Sequence, residues 1–364
     1  MKKDYLFSSV IALLFFLNAN GQTIKIPADP DAWDTVGVVP VRQTYKGKES
    51  LFIKTGGIVA KGVDFRDGII EADISFPQER SFPGFGVRMQ DQKNFEYFYV
   101  RPHQSGNPDA TQYTPVFNGD GGFQLYYGEG YNNAYSFKFN EWHHIKIDLH
   151  GLQAELYIDD TPVIKVKELL TGWKTGRIAV VGGPLYIANI QYTPRKNPVP
   201  TPIPIPENGK DGLITKWQVS NVINKSLFKN QYRLTAEIKK KLKWTTQRSE
   251  STGIIDLARF GTVTETNNTS VAKVVVKSST EQIKEVSFGF SDDVTVYLND
   301  KAIYYGSDKF LSRDYRFLGT VGFFDKLFLP LKKGTNELCF VTSETFGGWG
   351  VKAKFENVNG LSFE

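Results

Sequence analysis

One cysteine, Cys339, occurs in 364 residues. An intrachain disulfide is therefore excluded, as is a structural zinc site built on two or more thiolates. Cys339 sits between Leu338 and Phe340 with no histidine near it, the setting of a plain buried thiol. Histidine is sparse too, at four. Charge of one sign is scarce too: 44 Lys plus Arg against 39 Asp plus Glu leave a formal +5. That falls short of the clustered basic face of a nucleic-acid binder. Past the amino terminus no run is long and apolar enough to span a bilayer. Helical periodicity is almost missing, and the helix candidates are short, such as Val166–Leu170.

The amino terminus has the order of an export signal. Lys2 and Lys3 give a positive start, Val10 to Leu17 an apolar middle, and Ala19-Asn20-Gly21 a small-residue exit. The pattern predicts a signal peptide over 1–21, cleavage before Gln22, and a secreted or periplasmic product. No cysteine follows the apolar run, so a bacterial lipoprotein anchor is excluded.

Pro194 to Pro206 carries six prolines in thirteen residues. Each fixes φ and removes a backbone donor, so neither helix nor inner strand forms there. The expectation is a polyproline II spacer over 194–210 between two units, 22–193 and 211–364, that fold independently and meet little. Residues 22–196 hold one more acid than base, and 197–364 five more bases than acids. Much of that excess lies in Lys239 to Lys243, which reads as a solvated strand edge or loop.

Both halves read as β. Ile70, Ala72, Ile74 and Phe76 alternate with Glu71, Asp73 and Ser75. Ala154, Leu156 and Ile158 alternate with Glu155, Tyr157 and Asp159, and Ile145, Ile147 and Leu149 share a face. In the second half, Val294, Val296 and Leu298 alternate with Thr295, Tyr297 and Asn299. Period two with Gly, Asn and Asp turns predicts an all-β chain of two antiparallel β-sandwiches, jelly rolls in type.

The first half resembles the concanavalin A-like lectin/glucanase superfamily, laminin G-like modules included. The resemblance rests on Phe65-Arg-Asp-Gly-Ile-Ile-Glu-Ala-Asp-Ile, Gly84-Phe-Gly-Val-Arg88, Glu141-Trp-His-His-Ile-Lys-Ile and Ala154-Glu-Leu-Tyr-Ile-Asp-Asp. It extends at fold level to keto-disaccharide hydrolase-like domains. The second half is similar to galactose-binding-like jelly rolls through Ser291-Asp-Asp-Val-Thr-Val-Tyr-Leu-Asn, Leu331-Lys-Lys-Gly-Thr-Asn-Glu-Leu and Phe346-Gly-Gly-Trp-Gly. These resemblances imply folds that commonly meet sugars, and fold alone does not assign a function.

Laminarinase-type relatives carry Glu-x-Asp-x-x-Glu, whose two glutamates are nucleophile and acid/base. Here the stretch is Glu71-Ala-Asp73-Ile-Ser-Phe76. Phenylalanine cannot transfer a proton, so that mechanism lacks its acid/base, and no catalytic residue is assigned. A lyase would need a base and a cation, types present in Tyr99, Arg101 and His103, without a lyase motif.

Residues 95–139 hold 13 aromatics among polar loop residues. Flat rings cover sugar C–H faces, and Arg, Asn, Gln and His bond hydroxyl rims. The predicted glycan site is Arg88, Tyr99, Arg101, His103, Gln112 and Tyr113, with Arg88, Tyr97, Tyr99 and Arg101 on an open sheet face. The competing reading pairs those arginines with Glu71 and Asp73. Asn118-Gly-Asp120 and Ser291-Asp-Asp293 make a structural Ca2+ compatible with the sequence, although turn chemistry accounts for them as well. No other cofactor or metal is called for. His143 and His144 point to opposite faces and cannot chelate one metal. Three readings follow: a two-module glycan-binding protein, a glycoside hydrolase or polysaccharide lyase with an accessory second half, and an adhesion module with a protein partner.

Overall fold

A computed structural model describes residues 21–196, 203–314, 316 and 318–364. The predicted leader lies, but for Gly21, outside these residues, as do 197–202 of the predicted spacer. The chain is all-β and its sheets are antiparallel. The only α-helix among the described residues is Ala236–Lys239, capped by the Thr235 hydroxyl. It takes in the start of the lysine run that the sequence places on a strand edge or loop. No described helix is long and apolar enough to cross a membrane. Val166–Leu170, a helix candidate by sequence, is not helical. Val166 ends a strand, and the Leu170 N–H beyond it donates to the Tyr113 hydroxyl at 2.9 Å.

Two eight-stranded sheets face each other in the first half. The front sheet runs in the order Thr161–Val166, Gln153–Ile158, His143–His150, Gly68–Ser75, Leu185–Pro194, Lys48–Ile53, Val41–Tyr45. The back sheet is built around Asn94–Val100, between Thr111–Phe117 and Gly84–Asp91. Ile70, Ala72 and Ile74 pack inward with Ile145, Ile147 and Leu149 of the neighbouring strand, and with Phe85, Phe98 and Val100 of the back sheet. Burial of each large apolar side chain stabilises the fold by about 1.5–3 kcal/mol. A one-residue slip would put the whole set in water, so this set fixes which residues look outward. In the second half Trp217, Phe288, Phe340 and Trp349 lie in the core between a larger and a four-stranded sheet.

The halves do not meet as little as the spacer implies. The loop after Thr111–Phe117 reaches into the second half. Gln124 N–H donates to Gly347 O at 2.8 Å, Val321 N–H to Gln124 O at 2.9 Å, and Ser291 Oγ to Gln124 Oε1 at 2.9 Å. Leu125 joins one apolar cluster with Ile254. Arg259 donates to Leu170 O at 2.8 Å and stands over the Phe117 ring at 4.1 Å. Such closeness needs glycine: at Gly348, φ +131°, a Cβ would lie 2.7 Å from Gly122 Cα. Phe346-Gly-Gly-Trp-Gly is thus part of the seam, and its Trp349 is fully buried, donating to Thr342 O at 3.0 Å.

Buried acids line this seam. The Tyr126 hydroxyl lies 2.7 Å from Glu250 Oε1 and 3.0 Å from Asp256 Oδ2. A hydroxyl has one proton to share between the two carboxyls. Burial pushes both acids up, Glu250 to about 7 against the pull of Arg259. Burial, with Asp256 and Asp292 nearby, also lifts Asp120 to about 7, and its Oδ2 is buried without a hydrogen-bond partner. The two loops whose residues suggested Ca2+ therefore converge here. Among the described residues, no group of three or more His, Cys, Asp or Glu is arranged to hold a metal ion.

Two outcomes are expected. Protease nicking within 197–202 should leave the halves co-eluting in size-exclusion chromatography; separation into two folded pieces would show that the seam is too weak to hold them. The folded chain also retains protons on Asp120 and Glu250 that the unfolded chain releases above their ordinary values of 3.8 and 4.5. Stability from these groups is full below pH about 4 and falls as pH rises through about 7. Asp120→Asn should raise the Tm at pH 8 and change it little at pH 4, measured by calorimetry.

Candidate sugar-binding face

The six residues predicted as a site are placed in three different ways. Tyr99, Arg101 and Gln112 come together, because Tyr99 pairs with Gln112 across adjacent strands. Tyr97 stacks on Tyr99 with centroids 4.6 Å apart, and the Arg101 guanidinium lies 4.9 Å from the Tyr99 ring. The alternation expected for Tyr97, Tyr99 and Arg101 is therefore present, but Tyr99 and Arg101 do not lie on an open face. Arg101 is 7% exposed and Gln112 fully buried. Arg101 donates to the Tyr99 hydroxyl at 2.7 Å, to Asp109 O at 2.8 Å and to Gln112 Oε1. Tyr99 donates to Gln112 Oε1 at 2.8 Å. Gln112 Nε2 donates to Phe123 O at 3.1 Å and Tyr126 O at 2.6 Å. Burial raises the Tyr99 hydroxyl to about 12, which keeps it neutral. The network closes on itself and holds the loop that builds the seam.

Arg88 corrects the sequence reading most plainly. The strand Gly84–Asp91 is irregular past Val87, and Arg88 has φ +50°. The period-two count fails there and the side chain turns into the protein, 2% exposed. It meets Asp67 Oδ1 at 2.9 Å, Gly151 O at 2.6 Å and Trp173 O at 3.1 Å. Neither arginine pairs with Glu71 or Asp73. Tyr113 is also fully buried and donates to Glu96 at 2.6 Å. His103 stands at the strand mouth against Phe82, 5.4 Å between ring centroids. Burial, then Arg80 and Arg101, hold its pKa down.

The outer face of the front sheet has a different character. Glu71 and Asp73 look outward between buried Ile70, Ala72 and Ile74. Asp73 Oδ2 accepts from Lys48 Nζ at 2.7 Å and Asn189 Nδ2 at 2.6 Å, and His144 Nδ1 lies 3.0 Å from Oδ1. The other ring nitrogen of His144 is 3.5 Å from Glu71 Oε1, and Gln191 donates to Glu71 at 3.2 Å. Burial works to raise the Asp73 pKa, but the bonds from Lys48, His144 and Asn189 outweigh it and hold the carboxyl below its ordinary value. The His144 side chain is 40% exposed, and this cluster opens on a cleft of about 600 Å³.

Four aromatic rings continue the same face. Tyr45 stacks on Tyr186 at 3.8 Å, Phe52 lies 4.8 Å from Tyr186, and Trp142 meets Tyr45 edge-on at 5.7 Å. The Lys48 ammonium is 5.1 Å from the Trp142 ring, joining the aromatic end to the polar end. All four rings are half-buried, so part of each is open to solvent. None of the hydrogen bonds between the halves described above involves this face. His143 points the other way, 2% exposed, its Nδ1 2.6 Å from Asp159. Phe76, at the position of the absent acid/base, is buried in the core.

Strand alternation puts Glu71 and Asp73 on one face and His144 opposite His143, but it does not join them. The parity of Trp142 and His144 was the available signal. Lys48, Asn189, Tyr45 and Tyr186 come from strands distant in sequence, and only sheet register brings them together.

No family model and no curated protein matches the chain. Among solved structures it is similar to the carbohydrate-binding module CBM66 from Bacillus subtilis, with 18% identity over 44% of this chain and 95% of that one, TM-score 0.35. It is similar also to a protein of unknown function with a galectin-like fold from Bacillus subtilis, with 12% identity over 48% and 97%, TM-score 0.36. Galectin LEC-6 of Caenorhabditis elegans matches at 10% identity over 45% and 96%, TM-score 0.28. At such identities these likenesses carry no residue role into this chain.

The geometry separates a stabilising network from an open face. Arg101→Ala would take a buried donor from the Tyr99 hydroxyl, from Asp109 O and from Gln112 Oε1, leaving Gln112 Oε1 with Tyr99 alone. It should lower unfolding stability by about 2–4 kcal/mol in urea titration. A loss under 0.5 kcal/mol would count against the network.

Proposed function

We propose that this protein is an exported, non-catalytic glycan-binding protein of the concanavalin A-like type, and that it takes sugar on the outer face of the front sheet. The observation that carries the reading is the continuity of two surfaces there. The half-buried Trp142 ring with Tyr45, Tyr186 and Phe52 offers apolar area, and Lys48, Asp73, His144, Asn189 and Gln191 offer hydrogen bonds beside it. A pyranose needs both, a flat apolar partner for its C–H face and paired donors and acceptors for its hydroxyls. The polar groups already hold one another in position, so little side-chain entropy is lost when a ligand arrives. Binding is favoured over hydrolysis because Phe76 occupies the third position of the catalytic pattern and turns into the core.

Trp142→Ala and Asp73→Asn should each weaken retention on a binding polysaccharide at least tenfold. The screen is a panel of neutral polysaccharides read by affinity electrophoresis, with reducing-end release assayed in parallel. Tyr97→Phe, on the back sheet, should retain full binding. If Trp142→Ala binds as the parent does, the face is wrongly chosen. If reducing ends accumulate, the protein is an enzyme.

A further inference from the structure

The second half carries its own cavity, of about 410 Å³, on the outer face of its larger sheet. Part of that face is covered. Phe228, Leu234, Ile238 and Leu242 pack on Val271, Tyr297, Cys339 and Val341. Where this cover ends, Asp293 and Thr295 of the strand Asp293–Leu298 and Ser343 of the neighbouring strand are left beneath an opening. Tyr305 pairs with Thr295 on the adjacent strand and stands at the opening 70% exposed. Lys225 and Lys229 form the opposite rim.

Three features of this cavity call for a ligand of one kind. Lys225 and Lys229 are exposed, and neither has a carboxylate partner among the described residues. The one acid lining the cavity, Asp293, is already bridged through Oδ2 to Lys309 at 2.8 Å. The rim is therefore net positive and attracts an anion. Asp293 Oδ1, however, is buried with no hydrogen-bond partner. A bare anion would leave it unpaired and be repelled by the carboxylate. A hydroxyl donates to that carboxylate instead of being repelled by it. The exposed Tyr305 ring adds the flat apolar surface that a pyranose covers. A phosphate or sulfate ion meets the first requirement only, and a neutral sugar the last two.

We infer that the cavity bounded by Lys225, Lys229, Asp293 and Tyr305 is a second saccharide site, specific for an acidic sugar unit such as a uronate residue. The acid group lies between the two lysines, the ring rests on Tyr305, and a ring hydroxyl donates to the Asp293 carboxylate, which lines the cavity. The site is independent of the front-sheet face.

The test is affinity electrophoresis of the full chain in gels containing polygalacturonate, alginate, methyl-esterified pectin or polyglutamate. Retardation by polygalacturonate or alginate is expected, weakened at least fivefold in K225A/K229A and in Tyr305→Ala, with unchanged Tm. Methyl-esterified pectin should retard the chain less, and Trp142→Ala should leave the acidic-polymer response intact. Retardation by neither acidic polysaccharide overturns the inference. So does a response that Tyr305→Ala leaves unchanged, or one that polyglutamate reproduces in full, since each means charge attraction alone. If Trp142→Ala abolishes the response, the ligand sits on the front sheet and this site is overturned, while the front-sheet reading stands.

Discussion

A single side-chain amide, that of Gln112, ties the back sheet of the first half to the seam with the second. Its oxygen accepts from Tyr99 and Arg101, and its nitrogen donates to Phe123 O and Tyr126 O. Only an amide offers donors and an acceptor from one fixed plane. A carboxylate there would lose both donors, and an apolar residue would leave Phe123 O and Tyr126 O without this donor and take an acceptor from Tyr99 and Arg101. The loop that Gln112 holds brings Gln124 against Gly347 and Tyr126 between Glu250 and Asp256. Gln112 thus supports one of the contacts that place the two sandwiches, beside those of Arg259 with Leu170 and Phe117.

That dependence explains why the richest sequence signal was misread. Residues 95–139 are rich in aromatics and in the polar types that bind sugars, and the structure uses many of them to bury a junction. Tyr113 and Tyr126 are fully buried and fill the core, Tyr99 and Arg101 brace Gln112, and Phe123 meets Phe346 across the seam at 5.5 Å. Composition cannot tell a ring that waits for a sugar from one that waits for another part of the same chain. The strand faces were legible because period two is local: Ile70, Ala72 and Ile74 point inward as their alternation requires. The bulge that turns Arg88 inward was not legible, since it depends on the pairing with Arg177–Val181. The polar cluster around Asp73 was half legible. Glu71, Asp73 and His144 sit on readable strands, but Asn189 reaches Asp73 from a bulge in its own strand, where φ is +53°.

The two open surfaces differ in electrostatic character. On the front sheet, acids and bases are interleaved: Asp73 holds Lys48 and His144, and Glu71 faces the same histidine. The face has strong local dipoles and little net field, which suits recognition of hydroxyl patterns at short range. The second half carries the basic excess of the chain, and its cavity rim leaves two lysines unneutralised. A field of that kind reaches about 8 Å at physiological salt. One chain therefore carries a charge-balanced face on its first half and a positively charged rim on its second.

The proline spacer invites the experimenter to cut the chain in two, and the glycine contact between Gly122 and Gly348 shows what that would expose. In the whole protein Leu125 is 3% exposed and Tyr126 is fully buried, both covered by the second half. A fragment ending at the spacer would carry Phe123, Leu125 and Tyr126 into water as a projecting apolar lip. Such an edge favours self-association over solubility. The complementary fragment would lose the tyrosine hydroxyl that sits between two buried acids and would bring those acids to the surface. For this chain, the unit of handling is the pair of sandwiches, although a spacer of six prolines marks the place where a boundary would ordinarily be drawn.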